Sequence, residues 1–113
     1  MNGARGGPIM KEVVERLCMA RGARAVALFD DGGVILTSAG EVQLLQTMSD
    51  VAASPEGTLV DVPGARLLVR RLPTGALVVA SEPTADVADI RFHATAAVTS
   101  LRIRSSRPPA PLQ

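Results

Sequence analysis

The chain has 113 residues, of which 47% are apolar and 20% charged. This length suits one folded domain with its own core and is too short for two. Its net charge of +1, its two Phe and its lack of Trp and Tyr argue against nucleic-acid or anionic-membrane partners, because neither a basic field nor a stacking surface is available.

Three further features indicate a cytoplasmic location. The single cysteine, Cys18, cannot form an intramolecular disulfide, which fits a reducing compartment. No apolar run approaches the ~18 residues of a spanning helix. The N-terminal MNGARGGP lacks the apolar core of a signal peptide. We therefore expect no membrane insertion.

The first element predicted is a helix over Ile9 to Arg21. Pro8 suits a first helical position, and Gly22 suits the left-handed residue that ends a helix. The apolar residues recur at helical spacing: Ile9, Met10, Val13, Val14, Leu17 and Cys18. Residues 1–7, before this helix, are expected to be disordered.

Two short strands, Ala25 to Asp30 and Val34 to Thr37, flank the tetrapeptide DDGG. Asp31-Gly32 predicts a two-residue hairpin turn, in which both positions need positive φ. A metal site would need more oxygen ligands than two carboxylates supply. A phosphate loop would need a helix, with Lys and Ser or Thr, where a second strand follows. The tetrapeptide is therefore interpreted as a turn.

Ser38-Ala-Gly-Glu41 fits a capping box, which predicts a second helix that runs to about Ala53. Ser54-Pro55-Glu56-Gly57 would end it. Its apolar stripe consists of Leu44, Leu45, Met48, Val51 and Ala52. The other side of the helix carries Val42, Gln43, Gln46, Thr47, Ser49 and Asp50.

Three strands and a last helix follow. The strands are predicted at Thr58 to Val62, Arg66 to Leu72 and Ala76 to Ser81, joined by turns at Pro63-Gly64 and Pro73-Thr-Gly75. The helix is predicted from an N-cap at Thr84 to Arg104, and Val87, Ile90, Ala94, Ala97, Val98 and Leu101 form its apolar face. We expect one domain over residues 8–104 and a Pro-rich flexible tail over 105–113.

The first helix leading into GARAVALFDDGGVILTSAG, and the later stretch GARLLVRRLPTGALVVASEP, resemble the roadblock/dynein light chain superfamily. Such proteins open with an amphipathic helix, a Gly, an apolar strand, an Asp-rich turn and a second apolar strand. The resemblance covers about Ile9 to Arg104. It is strongest to the short bacterial members, including the Mgl-type regulators of a Ras-like GTPase in cell polarity and motility.

The resemblance implies an α+β sandwich. Its five-stranded antiparallel sheet has the order 2-1-5-4-3, with two helices on one face and one on the other. It also implies a homodimer in which third strands pair edge to edge and middle helices pack together. An apolar edge strand that soluble proteins would cover supports this independently. The expected interface comprises Leu59, Val60 and Val62, with Leu44, Leu45, Met48 and Ala52 nearby.

The function implied is a non-enzymatic interaction module. It would bind or scaffold components of a Ras-like GTPase switch, directly or through a roadblock paralogue, and need no cofactor. The expected contact surface is the outer side of the middle helix, with Val42, Gln43, Gln46, Thr47 and Asp50. The alternative is a small-ligand sensor domain, although the polar groups that would orient such a ligand are scarce.

No catalytic constellation is visible in the sequence. His93 has no nucleophile near it, Cys18 has nothing that would lower its pKa, and one His and one Cys far apart do not predict a metal site. Because an inserted Arg can accelerate GTP hydrolysis, Arg66, Arg70, Arg71 and Arg91 are noted, with solvation of the surface as the simpler interpretation. Neighbouring strand residues face opposite ways, so Arg70-Arg71 is a place to look for a partner carboxylate.

Overall fold

The computed structural model of the chain describes residues 7–106, with side chains over residues 10–102. Its elements are α1 (Gly7–Cys18), β1 (Ala23–Asp30), β2 (Ile35–Gly40), a 3₁₀ turn (Val42–Leu44), α2 (Leu45–Val51), β3 (Leu59–Val62), β4 (Ala65–Leu72), β5 (Gly75–Ser81) and α3 (Val87–Ser106). The element order predicted from the sequence is confirmed. No helix within the described range is long and apolar enough to cross a membrane.

The five strands form one antiparallel sheet in the order β2-β1-β5-β4-β3, as the resemblance predicts. Helices α1 and α3 lie on one face, called here the two-helix face, and α2 lies on the other, the one-helix face. Strands β2 and β3 are therefore the two edges of the sheet. The expected sandwich of two helices, sheet and one helix is confirmed.

Each face of the sheet has its own apolar core. On the two-helix face the buried side chains are Val14, Leu17, Val26, Leu28, Leu68, Leu77, Val79, Ile90, Ala94, Ala97, Val98 and Leu101. On the one-helix face they are Ala25, Ala27, Phe29, Leu44, Met48, Ala52, Ala65, Leu67, Val69, Ala76, Val78 and Ala80. Strands β1, β4 and β5 contribute to both clusters, because alternate residues of a strand point to opposite faces.

The DDGG tetrapeptide is a turn, but not the two-residue turn predicted. The amide of Gly33 donates to the Asp30 carbonyl, and the Asp30 amide donates to the Val34 carbonyl, so three residues form the loop. Within the tetrapeptide, only Gly33 has a positive φ, at +84°, and Asp31 has a negative one. The Asp30 carboxylate accepts from the amides of Gly32 and Val34, at 2.8 and 2.9 Å. That carboxylate holds the loop closed.

The predicted capping box at Ser38 is wrong. Ser38 lies inside β2, which extends to Gly40, and Glu41 makes no side-chain cap at the helix that follows. Strand β2 reaches this far because Gly40, at φ +93°, packs directly on β1. A Cβ there would lie 2.2 Å from the carbonyl oxygen of Arg24. The helix also ends at Val51 rather than Ala53.

Most of the remaining differences from the predicted elements lie at helix ends, where boundaries are least determined by sequence pattern. Among the strands, β1 starts at Ala23 rather than Ala25. Helix α1 ends at Cys18 rather than Arg21. The N-cap of α3 is Asp86 rather than Thr84, because the Asp86 carboxylate accepts from the amide of Ala88 at 3.0 Å. Of the termini expected to be loose, residues 1–6 and 107–113 lie outside the described residues. The prediction was wrong for Gly7, which begins α1, and for Ser105 and Ser106, which end α3.

Candidate interaction site

The outer side of the 3₁₀ turn and α2 presents a continuous exposed surface, called here the α2 ridge: Val42, Gln43, Gln46, Thr47 and Asp50. Val42 is 72% exposed, and Thr47 alone of the five is half-buried. The Gln46 amide donates to the Asp50 carboxylate at 3.2 Å, one helical turn away. The ridge thus offers one exposed apolar side chain among amides and a single carboxylate.

The inner side of the same helix is part of the core of this chain. Met48 has no exposed surface, and Leu44 and Ala52 are buried, while Leu45 is half-buried. These four were expected near a dimer interface. Three of them pack against the sheet of their own chain, so at an interface they would lie beneath the contacting surface.

The β3 edge is the second candidate surface. Strand β3 has four residues that pair with β4 on one side only. Leu59 is 40% exposed, and Val60 and Val62 are half-buried. Asp61 accepts from the guanidinium of Arg66 at 2.6 Å. The edge therefore has an open row of backbone groups, with one charge that is already paired.

Arg24 fixes the start of the α2 ridge. Its guanidinium donates to both carboxylate oxygens of Glu41, at 2.9 and 2.5 Å, and also to the carbonyl of Gly64 in the β3–β4 turn. The hydrogen bond from Arg24 holds the pKa of Glu41 below its usual range, even though burial acts in the opposite direction. The entry to α2 and the turn that follows β3 are thereby joined through one side chain.

Glu56 has the corresponding position at the other end of α2. Strand β4 is longer than β3, so the amide of Arg71 lacks a strand partner. The Glu56 carboxylate accepts from that amide at 2.6 Å and from Nε of Arg70 at 2.8 Å. Burial raises the pKa of Glu56, but these hydrogen bonds and the charge of Arg70 outweigh it and bring the pKa below its usual range.

The two arginines of β4 do point to opposite faces. Arg70 reaches α3 on the two-helix face, where it donates to the Thr95 hydroxyl at 2.7 Å. Arg71 reaches the end of α2 on the one-helix face, where it donates to the carbonyls of Ala52 and Ser54. Such a cation at a helix C-terminus satisfies carbonyls that have no partner within the helix. The expectation of a partner carboxylate at Arg70-Arg71 is met by Glu56.

The other side chains considered for chemistry have ordinary surroundings. His93 lies 3.6 Å from the Asp89 carboxylate on the surface of α3. Burial, and then the charge of Glu41, raise the pKa of Cys18, which suppresses its thiolate. Over the described residues, no group of three or more His, Cys, Asp or Glu could hold a metal ion.

Sequence pattern missed Arg24 and Glu56, and it assigned Glu41 to a capping box rather than to the pair with Arg24. Arg24 and Glu41 are 17 residues apart, and Glu56 lies in a segment interpreted only as a helix terminator. Only the pair Arg70-Arg71 indicated a partner carboxylate, which is Glu56.

Comparison with solved structures shows which fold this arrangement represents. Myxococcus xanthus MglB is similar over 98% of this chain and 99% of its own, with a TM-score of 0.77 at 17% identity. The gliding protein MglB of Thermus thermophilus has a TM-score of 0.74 at 18% identity, over 96% of both chains. The Roadblock/LC7 domain from Streptomyces avermitilis has a TM-score of 0.69 at 15% identity, over 81% of this chain and 93% of that one.

No protein-family model matches this sequence, and no curated protein matches it either. At these identities the likeness to solved structures shows the fold. Strand order, helix placement and coverage of nearly the whole chain all agree with the resemblance found in the sequence. The chain therefore has the roadblock fold of the Mgl-type proteins.

Proposed function

We propose that the chain is a dimeric, cytoplasmic, non-enzymatic interaction module. It binds or scaffolds components of a Ras-like GTPase switch, directly or through a roadblock paralogue. The observation that carries the proposal is an open β3 edge beside an exposed α2 ridge, on a fold shared with MglB along almost its whole length.

The β3 edge supports dimerisation through backbone pairing. The amide of Val69 donates to the carbonyl of Thr58, so the alternation of an antiparallel ladder turns the N–H groups of Leu59 and Asp61 away from β4. A second β3 strand, antiparallel to the first, would satisfy them. The two sheets would then be continuous, and both α2 ridges would lie on the same side of the joint sheet.

Substitution Asp61→Pro tests the dimer. Proline removes an outward N–H, and an edge position tolerates it. Asp61→Ala is the matched control, because it loses the same carboxylate and keeps the N–H. We expect light scattering to give a dimer mass for the parent and for Asp61→Ala, and a monomer mass for Asp61→Pro. A concentration-independent monomer mass for the parent chain would refute the dimer.

The α2 ridge supports protein binding because Val42 offers an apolar contact, and the neighbouring amides can donate or accept. The double substitution Gln46→Lys, Asp50→Lys reverses its charge without touching the buried side. Asp31→Lys, in the exposed β1–β2 turn, is the control for a charge reversal elsewhere.

Calorimetric titration against the Ras-like GTPase of the same organism, loaded with GDP or with a non-hydrolysable GTP analogue, tests the partner. We expect tighter binding to the GTP-like form, binding weakened at least tenfold by the double substitution, and no change with Asp31→Lys. Binding equal in all three proteins would exclude the ridge. Absence of binding to both loaded forms would contradict direct contact and favour a roadblock paralogue as the partner.

A further inference from the structure

A cleft on the two-helix face includes Arg70 and Glu56 and lies next to the start of the β3 edge, since its Leu68 pairs with Leu59. It has a volume of about 310 Å³, and its walls are Glu56, Gly57, Leu68, Arg70, Arg91 and Thr95. Helix α3 forms one side, and the segment that enters β3 forms the other. The cleft is open to solvent, and most of the side chains around it are polar.

Arg70 is held rigidly in the wall of this cleft. Its side chain is only 17% exposed. Nε donates to Glu56 at 2.8 Å and one terminal nitrogen donates to the Thr95 hydroxyl at 2.7 Å. Among residues 10–102, the other terminal nitrogen has no acceptor in the structure, although a guanidinium has five N–H donors. The side chain is thus pre-oriented, with donors left over.

Thr95 adds a second oriented donor. Its hydroxyl oxygen accepts the bond from Arg70, so its own proton must point away from that guanidinium. No acceptor within the described chain is assigned to that proton. Thr95 is exposed in the wall of the cleft, so its hydroxyl can donate to a bound ligand while it accepts from Arg70.

The charges around the cleft do not balance. Glu56 is the only carboxylate among the six wall residues. Arg70 pairs with it, and Arg102 is near enough to help lower its pKa. Arg91 is exposed, and no carboxylate of the described chain pairs with it. The cleft therefore carries an excess of positive charge, with guanidinium groups suited to oxyanions.

We infer that this cleft binds the oxyanion of a small molecule, a phosphate or a carboxylate group. Arg70 and Thr95 donate to it from fixed positions, and Arg91 approaches from the solvent side. This site lies on the face opposite the α2 ridge and needs neither a dimer nor a GTPase. It provides the oriented polar groups that a ligand-sensing role requires.

The test is a titration of the full chain, followed by ¹H–¹⁵N NMR at constant ionic strength. Inorganic phosphate is the probe in one arm and malonate in the other, with chloride as the reference anion. We expect saturable shifts at Glu56, Gly57 and Thr95. Saturation by phosphate alone assigns a phosphorylated ligand, and saturation by malonate alone assigns a carboxylate. Saturation by neither overturns the inference.

Three glutamine variants identify the site. Arg70→Gln should weaken binding roughly tenfold, since it removes a charge-assisted donor from a largely buried position, and Arg91→Gln about threefold, as for an exposed charge. Arg66→Gln is the matched control: it lies on the same face of the same strand, but its guanidinium pairs with Asp61 outside the cleft. An equal loss in all three variants would mean general attraction to positive charge. No loss with Arg70→Gln would mean that the anion binds elsewhere, and either result would overturn the site.

Discussion

The two faces of the sheet are covered by different means. On the two-helix face, the sheet contributes large side chains: Val26, Leu28, Leu68, Leu77 and Val79. On the one-helix face, five of the nine buried sheet residues are alanines (Ala25, Ala27, Ala65, Ala76 and Ala80), beside Phe29, Leu67, Val69 and Val78. The helices differ more, because α1 and α3 bury seven apolar side chains in their cluster, whereas the segment of α2 buries three, Leu44, Met48 and Ala52. Apolar burial scales with the area removed from water. The layer formed by α2 therefore has less apolar area to hold it.

Polar contacts at the two ends of α2 offset part of this smaller apolar contact. Arg24 fixes the entry to α2 through Glu41, and Arg71 binds carbonyls at its exit. Between these ends, Met48 is the one large side chain of α2 that is fully buried. The helices of the two-helix face are thus held by packing. Helix α2 is held by the buried side chain of Met48 and by Arg24 and Arg71 at its two ends. The surface proposed for partners belongs to the layer with the smaller core.

The largest expected effect on stability comes from truncating Met48. Met48→Ala and Leu17→Ala each truncate a buried side chain, one on each face, and each should lower the free energy of unfolding by ~3 kcal/mol. Met48→Ala should in addition abolish amide protection in α2, because Met48 is the one buried side chain within that helix. Urea denaturation and hydrogen exchange measure the two effects.

The comparison of faces predicts that Leu17→Ala lowers protection throughout the sheet and helices together. If both variants lowered protection equally in every element, the two layers would be one cooperative unit, and the distinction between the faces would be wrong.

Arg71→Gln should have an intermediate effect. The substitution removes charge-assisted hydrogen bonds to two partly buried carbonyls at the end of α2. The free energy of unfolding should fall by about 1–2 kcal/mol, with fraying confined to that end of the helix. Arg66→Gln, which breaks an exposed pair on the same strand, should cost less than about 1 kcal/mol. Equal urea midpoints for the two variants would contradict a role of Arg71 at the helix end.

Mild acid should have the smallest effect, and it should act at both ends of α2. The pKa values of Glu41 and Glu56 are lower in the folded chain than the ordinary 4.5. Their contribution to stability is therefore fully present above pH 4.5 and is lost as the pH falls through the lowered folded-state values. NMR shifts of α2 amides should change in this range before those of α1. Glu41→Gln should remove the part of the change at the entry to α2, and an unaltered change there would contradict the role of Glu41.

Most of the architecture follows from local signals in the sequence. The strands β3, β4 and β5 are bounded by Pro-Gly and Pro-Thr-Gly turns, so their predicted limits differ from the observed ones by a single residue. Apolar positions at helical spacing identified the buried faces of α2 and α3. These features depend on neighbours in sequence, which is why pattern alone finds them.

What sequence missed depends on contacts between distant segments. Ser38 and Glu41 have the spacing of a capping box. In the structure, however, Ser38 pairs with β1 in the sheet, and the carboxylate of Glu41 accepts hydrogen bonds from Arg24. The pairing of Glu56 likewise requires knowing that β3 stops short of Arg71. The outer side of α2 was predictable as exposed, whereas its binding role stays a prediction, because exposure alone does not specify a partner.

Glu56 also has a mechanical consequence. Its two oxygens bind Arg70 and the backbone of Arg71, and these two residues contact α3 and the end of α2 respectively. One carboxylate on an exposed turn is thus a shared pivot for helices on opposite sides of the sheet. A displacement at the end of α2 has a path to α3 that passes through two side chains, and the sheet between the helices need not deform.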